Sequence, residues 1–347
     1  MARKNSSGGF SGVGVDIGSF SIKVAGIKNK PFSKKSLLTF GIEHIPKDSA
    51  FEQRASLIQR ALENAGIVAK KVNISVCGPN VITRYLHLPL MSKYELQDAI
   101  ELEWDKYVSA KKEDSIWDFT LLDTPKDPTG KYMYVLLVVV KNDFITERVN
   151  LLKSINLEPQ FIHIDALALL NVFNAIVPSG DKHPIVILNI GEYYTNQVVL
   201  KKNICWFSRD INIGGHDISG IIADKLRISL PEAENLKCGL DENRSKEIYA
   251  AIKPVLDNLA NEVKLSVEYL KNELEEDIKL IYLFGGSAHL YNLDGYLADS
   301  LGMPIQKCNP ASAFNVILGI TPASIVEYSP NLAVAIGLAL ANKNALL

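Results

Sequence analysis

Residues 14–27 read GVDIGSFSIKVAGI, an apolar run broken once by an aspartate, a glycine and two serines and then resumed through a lysine. A buried strand interrupts itself in this way in order to turn. Glycine permits a tight bend and a close backbone approach to a ligand, while small hydroxyl residues present amides and oxygens at the bend. The design recurs later in the chain. Val15-Asp16-Ile17-Gly18-Ser19 overlays Leu188-Asn189-Ile190-Gly191-Glu192, and in both places an apolar strand resumes a few residues on and ends in Lys-Asn. The offset is 173 residues (189 − 16), about half of the 347. A repeat of that period predicts two related domains facing one another, since solenoid units are far shorter.

The bulk numbers agree with two lobes. At 347 residues and 47% hydrophobic, the chain exceeds the length at which single cores split. A net charge of −2 leaves no basic face for nucleic acid. Cys77, Cys205, Cys238 and Cys308 are far apart and form neither a C-x-x-C nor a Cys/His cluster, which predicts a reduced, cytoplasmic setting. The opening MARKNSSGGF is basic with no apolar stretch behind it, and no run approaches the roughly 20 apolar residues of a membrane span. Any membrane role is therefore expected to come through a partner.

Apolar, β-branched runs alternate with helical patterns near 51–65, 93–108 and 142–155, which reads as an α/β protein. TPKDPTGK at 124–131 has the composition of a hairpin loop and places a small α+β unit inside the first half. VPSGDKHP is a linker by composition. From 249 to 275, Ile252, Val255, Leu256, Leu259, Val263, Val267, Leu270 and Leu274 recur at helical steps and predict a long helix with one face on a core.

A strand, Asp-x-Gly-Ser turn and strand make an anion cradle. The turn amides and the Ser19 or Ser21 hydroxyl would donate to phosphate oxygens, and Lys23 adds a point charge. Asp16 would hold a magnesium ion through water, since magnesium keeps several waters and takes one or two carboxylates. Two such hairpins from opposed domains would grip one polyphosphate. LIYLFGGSAHL adds a strand followed by Gly285-Gly286-Ser287, where bare backbone can pass close to a planar base or a ribose.

Hairpin, second hairpin, then strand-Gly-Gly resembles the order of the actin and sugar kinase superfamily. The segments GVDIGSFSIKV, LPLMSKYELQDAIELEWDKYV, INIGGHDISGIIADKL, PEAENLK, FGGSAHLYNLDGYLADSLGMPIQKCNP and SPNLAVAIGLAL narrow the likeness to the type IV pilus assembly PilM family, relatives of the cell-division protein FtsA. The resemblance implies an actin-like two-domain fold with a nucleotide cleft between the lobes and an FtsA-like inserted α+β subdomain. It divides the chain into 10–81 with 163–180, an insert at 82–162, 183–225 with 278–342, and a helical subdomain at 226–277. It implies ATP or ADP with magnesium as cofactors. Asp16, Gly18, Ser19 and Lys23 match its first phosphate loop, Gly191 and Thr195 its second, Gly214 and Gly215 a turn lining the nucleotide, Glu234 and Lys237 a pair reaching ribose or adenine, and Gly285, Gly286 and Ser287 the adenosine loop. It further implies a cytoplasmic scaffold, peripheral at the inner membrane. Such a scaffold would dock the N-terminal peptide of PilN in a groove beside the insert and link the inner-membrane platform to the pilus motor ATPases.

The chain departs from that pattern at the second hairpin. Asn189 stands where relatives carry an aspartate and cannot ionise, which points to a clamp with slow or absent hydrolysis. Glu192, Tyr193 and Tyr194 replace small residues and bring bulk and negative charge to a phosphate turn. Two other classes follow from these departures. One is a nucleotide-free interaction module like the cytoplasmic domain of GspL, against which the intact first hairpin and the lack of a transmembrane segment after Leu347 argue. The other is an actin-fold small-molecule kinase, which would want a carboxylate base that position 189 does not supply. The ending LALANKNALL carries no basic amphipathic helix of the FtsA kind. Asp165 in FIHIDALALL reads as a helix N-cap beside His163. His216 and His289 read as loop residues next to Gly-Gly turns, and Glu103 and Asp105 as parts of a solvated helix face.

Overall fold

Hairpin chemistry repeats because the sheets repeat. The computed structural model describes residues 9–29, 35–122, 130–177, 183–239, 242–316 and 329–341. The loop expected at 124–131 and the linker at 177–184 fall largely outside them. β1 (Gly12–Ile17) and β2 (Ser21–Lys28) form the first hairpin, β3 (Leu37–His44) continues it, and α1 (Phe51–Asn64) leads to β4 (Lys71–Val76). β5 (Val81–Pro89), α2 (Lys93–Leu102), α3 (Trp104–Tyr107), β6 (Ser115–Leu121) and β7 (Tyr132–Lys141) follow, and then α4 (Asn142–Lys153), β8 (Glu158–Ile164) and α5 (Asp165–Ile176).

The second half repeats the opening with β9 (Ile185–Ile190), β10 (Thr195–Lys201) and β11 (Ile204–Ile211). It goes on through α6 (Gly215–Leu226), α7 (Leu230–Cys238), α8 (Glu242–Leu274), β12 (Leu280–Phe284), α9 (Leu293–Leu301), β13 (Ile305–Lys307), β14 (Asn315–Val316) and α10 (Ala333–Leu340). The first sheet runs β14-β3-β2-β1-β4-β8 and the second β11-β10-β9-β12-β13. Aside from β14, the two orders are the same. Each is an antiparallel meander whose first strand then pairs in parallel with a later one, β1 with β4 and β9 with β12.

The inserted sheet, β5-β7-β6, is antiparallel. One face of β7 (Met133, Val135, Leu137, Val139) packs on Leu96 and Ile100 of α2 and Trp104 of α3. Ser92 and Glu95 close a capping box that starts α2, and Glu103 breaks the expected 93–108 helix in two with φ −100° and ψ 23°. The long helix begins ahead of its expected start because the apolar stripe extends back to the buried Ile248.

One expectation is corrected. The sequence reading left 278–342 with the second domain, but β14 pairs with β3 and α10 packs on β1, β2 and α5 of the first. AVAIGLAL is apolar on every side and carries no stripe that would reveal which sheet it serves. The fit is backbone on backbone. A Cβ at Gly337 would stand 1.9 Å from the Ala168 carbonyl oxygen, and one at Gly14 would stand 2.2 Å from that of Ala335.

α5 and α10 therefore sit between the two sheets, in a core that also takes Ala25, Ile27 and Leu38 from one sheet and Ile187, Val198 and Phe284 from the other. Gly337→Ala is expected to destabilise by about 3 kcal/mol in denaturant unfolding, because neither helix backbone can yield without moving a lobe. Gly220→Ala in α6 has open space around its Cβ and should stabilise by about 0.5–1 kcal/mol in the same measurement.

Candidate functional site

The two hairpin turns meet between the sheets and frame a cleft of about 270 Å³. Antiparallel register places Asp16 opposite Lys23, so both side chains emerge on one face of the sheet. Lys23 Nζ donates to Asp16 Oδ2 at 3.1 Å. Gly18 is required at the bend, since a Cβ there would stand 2.8 Å from the Ser21 carbonyl oxygen and 3.2 Å from Lys23 Nζ. Gly18 and Ser19 line the cleft, as do Asn189 and Gly191 from the facing hairpin. Ser21 is buried at the start of β2, outside that lining.

The second turn is tied into its own lobe. Gly191 N–H donates to the Tyr194 carbonyl at 2.9 Å, and the Gly191 carbonyl accepts from Gly215 N–H at 2.8 Å. Thr195 is fully buried and spends its hydroxyl on the Ile213 carbonyl at 2.7 Å, so it positions the turn and does not face the cleft. Asn189 Nδ2 donates to Asn196 Oδ1 at 2.7 Å, and Asn196 Nδ2 donates to Asp210 Oδ1, also at 2.7 Å. The Asp210 Oδ2 atom accepts from Gly78 N–H at 2.6 Å. This polar chain starts in the cleft and ends on the opposite lobe.

Behind Gly191 lies a second group. Lys237 is buried, donates to the Gly215 carbonyl at 3.1 Å and pairs with Glu234 at 2.7 Å. A Cβ at Gly215 would stand 2.7 Å from Ser287 Oγ and 2.9 Å from Lys237 Nζ, so Gly215, Lys237 and Ser287 share one crowded point. Gly214 precedes them as the N-cap of α6. Gly285 turns with φ +95°, and its missing Cβ leaves room for the Ile190 carbonyl, 2.4 Å from where that atom would lie. Gly286 opens the short turn that carries Ser287. The residues expected to line a nucleotide thus fall into a cleft group and a group behind it, joined at Gly191.

The departures fill space between these groups. Burial and the neighbouring Glu234 raise the Glu192 carboxyl above the usual range, against the pull of Lys237 and His216. His216 Nδ1 lies 3.4 Å from Glu192 and its ring packs on Tyr193. The Tyr194 ring lies against Gly78, 2.9 Å from where a Cβ would stand. His289 closes the turn opened by Gly286. Glu103 accepts from Lys106 and Tyr107 on the insert, away from the cleft.

Two further residues face the cleft, one read differently in the sequence and one not singled out there. Asp165 is not the N-cap; that position is Ile164, and Asp165 is the first helical residue. Its Oδ1 instead accepts from Ser75 Oγ at 2.6 Å, and its carboxyl faces the cleft. Burial first and the Asp16 charge second push it up to about 7, with the Ser75 hydrogen bond opposing. Arg148 of α4 also lines the cleft. A lone acid opening an apolar helix and a lone arginine in a mixed helix look ordinary in sequence.

Two sheets of one order, with glycine turns meeting in the cleft between them, make this an actin-like ATPase fold. The solved PilM-PilN type IV pilus biogenesis complex superposes with a TM-score of 0.84 at 24% identity over 98% of this chain and 99% of that one. MreB5 of Spiroplasma citri bound to AMPPNP superposes with a TM-score of 0.51 at 12% identity over 93% and 94%. In sequence, ethanolamine utilization protein EutJ of Escherichia coli (strain K12) is 37% identical over 101 residues, 29% of this chain and 33% of EutJ. The match thus spans a third of that relative's length. Residues 14–343 match the family described as type IV pilus assembly protein PilM, and the chain belongs to that family. Among the described residues no helix is long and apolar enough to cross a membrane.

The Asp165 carboxyl, raised in the fold from an ordinary 3.8 to about 7, gives a signed pH effect. Its contribution is fully present below pH ~4 and is lost as the pH rises through about 7, because ionisation is disfavoured in the folded state. Asp165→Asn should match the wild-type melting midpoint near pH 4 and exceed it at pH 8 when nucleotide is absent.

Proposed function

We propose that this chain is a nucleotide-clamped scaffold of a type IV pilus inner-membrane platform, with ATP and magnesium in the cleft and slow or absent hydrolysis. The observation that carries the reading is the meeting of the Asp16-Lys23 and Asn189-Gly191 turns across one cleft. The cleft suits an anion, since Gly18 leaves room for backbone amides to approach it, Ser19 brings a hydroxyl and Lys23 a cation. Asp16 Oδ1 is the oxygen not used by Lys23 and would hold a magnesium ion through water. Among the described residues no group of three or more histidines, cysteines and carboxylates is placed to hold a metal, so the remaining ligands would be water and phosphate. Gly214, Gly215, Glu234, Lys237 and Gly285 to Ser287 would receive the nucleoside. Bound nucleotide favours the closed, binding-competent form by mass action.

The inserted unit, taken as 82–162, would carry the partner site. A groove of about 270 Å³ lies between β6 and β8, walled by Ile116, Thr120, Val138, Ile162 and Leu167. Among the described residues no strand pairs with the outer edge of β6, so an extended segment can add there. His163, on β8 beside the groove, is buried, and among the described residues neither of its ring nitrogens has a hydrogen-bond partner. The occupant we assign is the N-terminal cytoplasmic peptide of a PilN partner, which would hold the protein at the inner membrane and connect it to the motor ATPases. A second reading, phosphoryl transfer, is favoured by one feature: an Asp165 carboxyl near neutrality is suited to act as a base.

Calorimetric titration with ATP and magnesium, with phosphate release followed in parallel, tests the clamp. Wild type should bind well below about 1 mM, equivalent to about −4 kcal/mol, and Lys23→Ala should abolish the heat. Steady phosphate release would replace the clamp with the second reading. Ile116 is 46% exposed, so Ile116→Asp should leave nucleotide binding intact while weakening capture of a PilN N-terminal peptide about tenfold or more in fluorescence anisotropy.

A further inference from the structure

Arg148 is a cleft cation that forms no ion pair among the described residues. Its Nε and Nη1 are sealed from solvent and have no hydrogen-bond partner among the described residues. The other cleft cation, Lys23, is already joined to Asp16. Phe144, one turn earlier on α4, holds the guanidinium 5.1 Å from its ring centroid, which fixes the direction of the side chain without supplying an acceptor. Burial pulls the guanidinium below its usual pKa range; neighbouring Glu147 and, more weakly, Asp16 across the cleft oppose that, and Arg54 adds a like charge.

A guanidinium cannot escape this position by shedding its proton, and leaving its donors buried and unpaired costs free energy. The ligand that relieves such a site carries two or more anionic oxygens in one plane of approach, as a phosphoryl group does, because the planar fork binds that geometry bidentately.

We propose that Arg148 receives the terminal phosphate of a nucleoside polyphosphate in the cleft, so that the site grades nucleotides by the length of their phosphate chain. The proposal rests on the reading of the cleft as a nucleotide site. It has an unusual corollary: the same residue strains the empty protein and steadies the filled one. A side chain kept for packing would do neither.

The test is thermal unfolding of the full chain with magnesium and, in turn, ATP, ADP, AMP and inorganic pyrophosphate, on wild type, Arg148→Gln and Arg148→Lys. Wild type should gain most from ATP and least from AMP. Arg148→Gln should melt no lower than wild type when empty, bind ATP about tenfold or more weakly, and bind AMP as wild type does. Arg148→Lys keeps the charge and the fold but loses the fork, and should lower ATP affinity while sparing AMP. If either variant keeps the wild-type ratio of ATP to AMP affinity, or if pyrophosphate binding survives in both, the assignment is overturned. If no nucleotide raises the wild-type midpoint, the reading of the cleft itself fails and takes this assignment with it.

Discussion

Backbone pressed on backbone sets the architecture. α10 can lie between the sheets only because Gly337 meets the Ala168 carbonyl of α5 and Gly14 meets the Ala335 carbonyl, with no side chain between them. Interiors are packed to crystal density and have little slack, so these contacts fix how far the two sheets stand apart. The cleft inherits its width from them. Its lining mixes polar groups with Phe20, Phe144 and Val334, set at a separation that the glycines and alanines of two apolar helices have already determined.

Local chemistry was legible in the sequence and long-range consequences were not. The Asp-Ile-Gly-Ser turn could be read because a glycine and small hydroxyl residues between β-branched runs leave few alternatives, and its echo at Asn189-Ile190-Gly191 exposed the duplication seen in the two sheet orders. The hydroxyls of Ser21 and Thr195 were open to misreading for a physical reason. A hydroxyl donates wherever its neighbours allow, and for Thr195 that neighbour is the Ile213 carbonyl, 18 residues along the chain. Asp165 shows the same limit: an acid at a strand-to-helix junction usually caps the helix, but here the Ser75 hydroxyl from an adjacent strand captured it. α10 was assigned to the wrong lobe because a helix buried on every side has no face to read.

The electrostatics of the cleft follow from which charges were paired during folding. Asp16 and Lys23 neutralise one another. Asn189 carries no charge and donates to Asn196, whose amide accepts at one end and donates to Asp210 at the other. A carboxylate at position 189 would oppose the Asn196 oxygen and reverse the polarity of the chain. An uncharged amide at position 189 therefore fits a hydrogen-bonded link that runs through Asn196 and Asp210 to Gly78 on the other lobe.

The ends of the sheets have a consequence for solubility. Among the described residues six strands lie at sheet edges, and an exposed edge invites another chain to add to it. β14 and β13 have only two and three residues, too few to template a partner. β5 and β11 shelter one another, with Tyr85 donating to Ser208 Oγ at 2.9 Å and stacking on Phe207. The long edges left are β6 and β8, and both border the same groove. Among the described residues these are the long edges open to strand addition, and a segment lying in that groove would cover both at once.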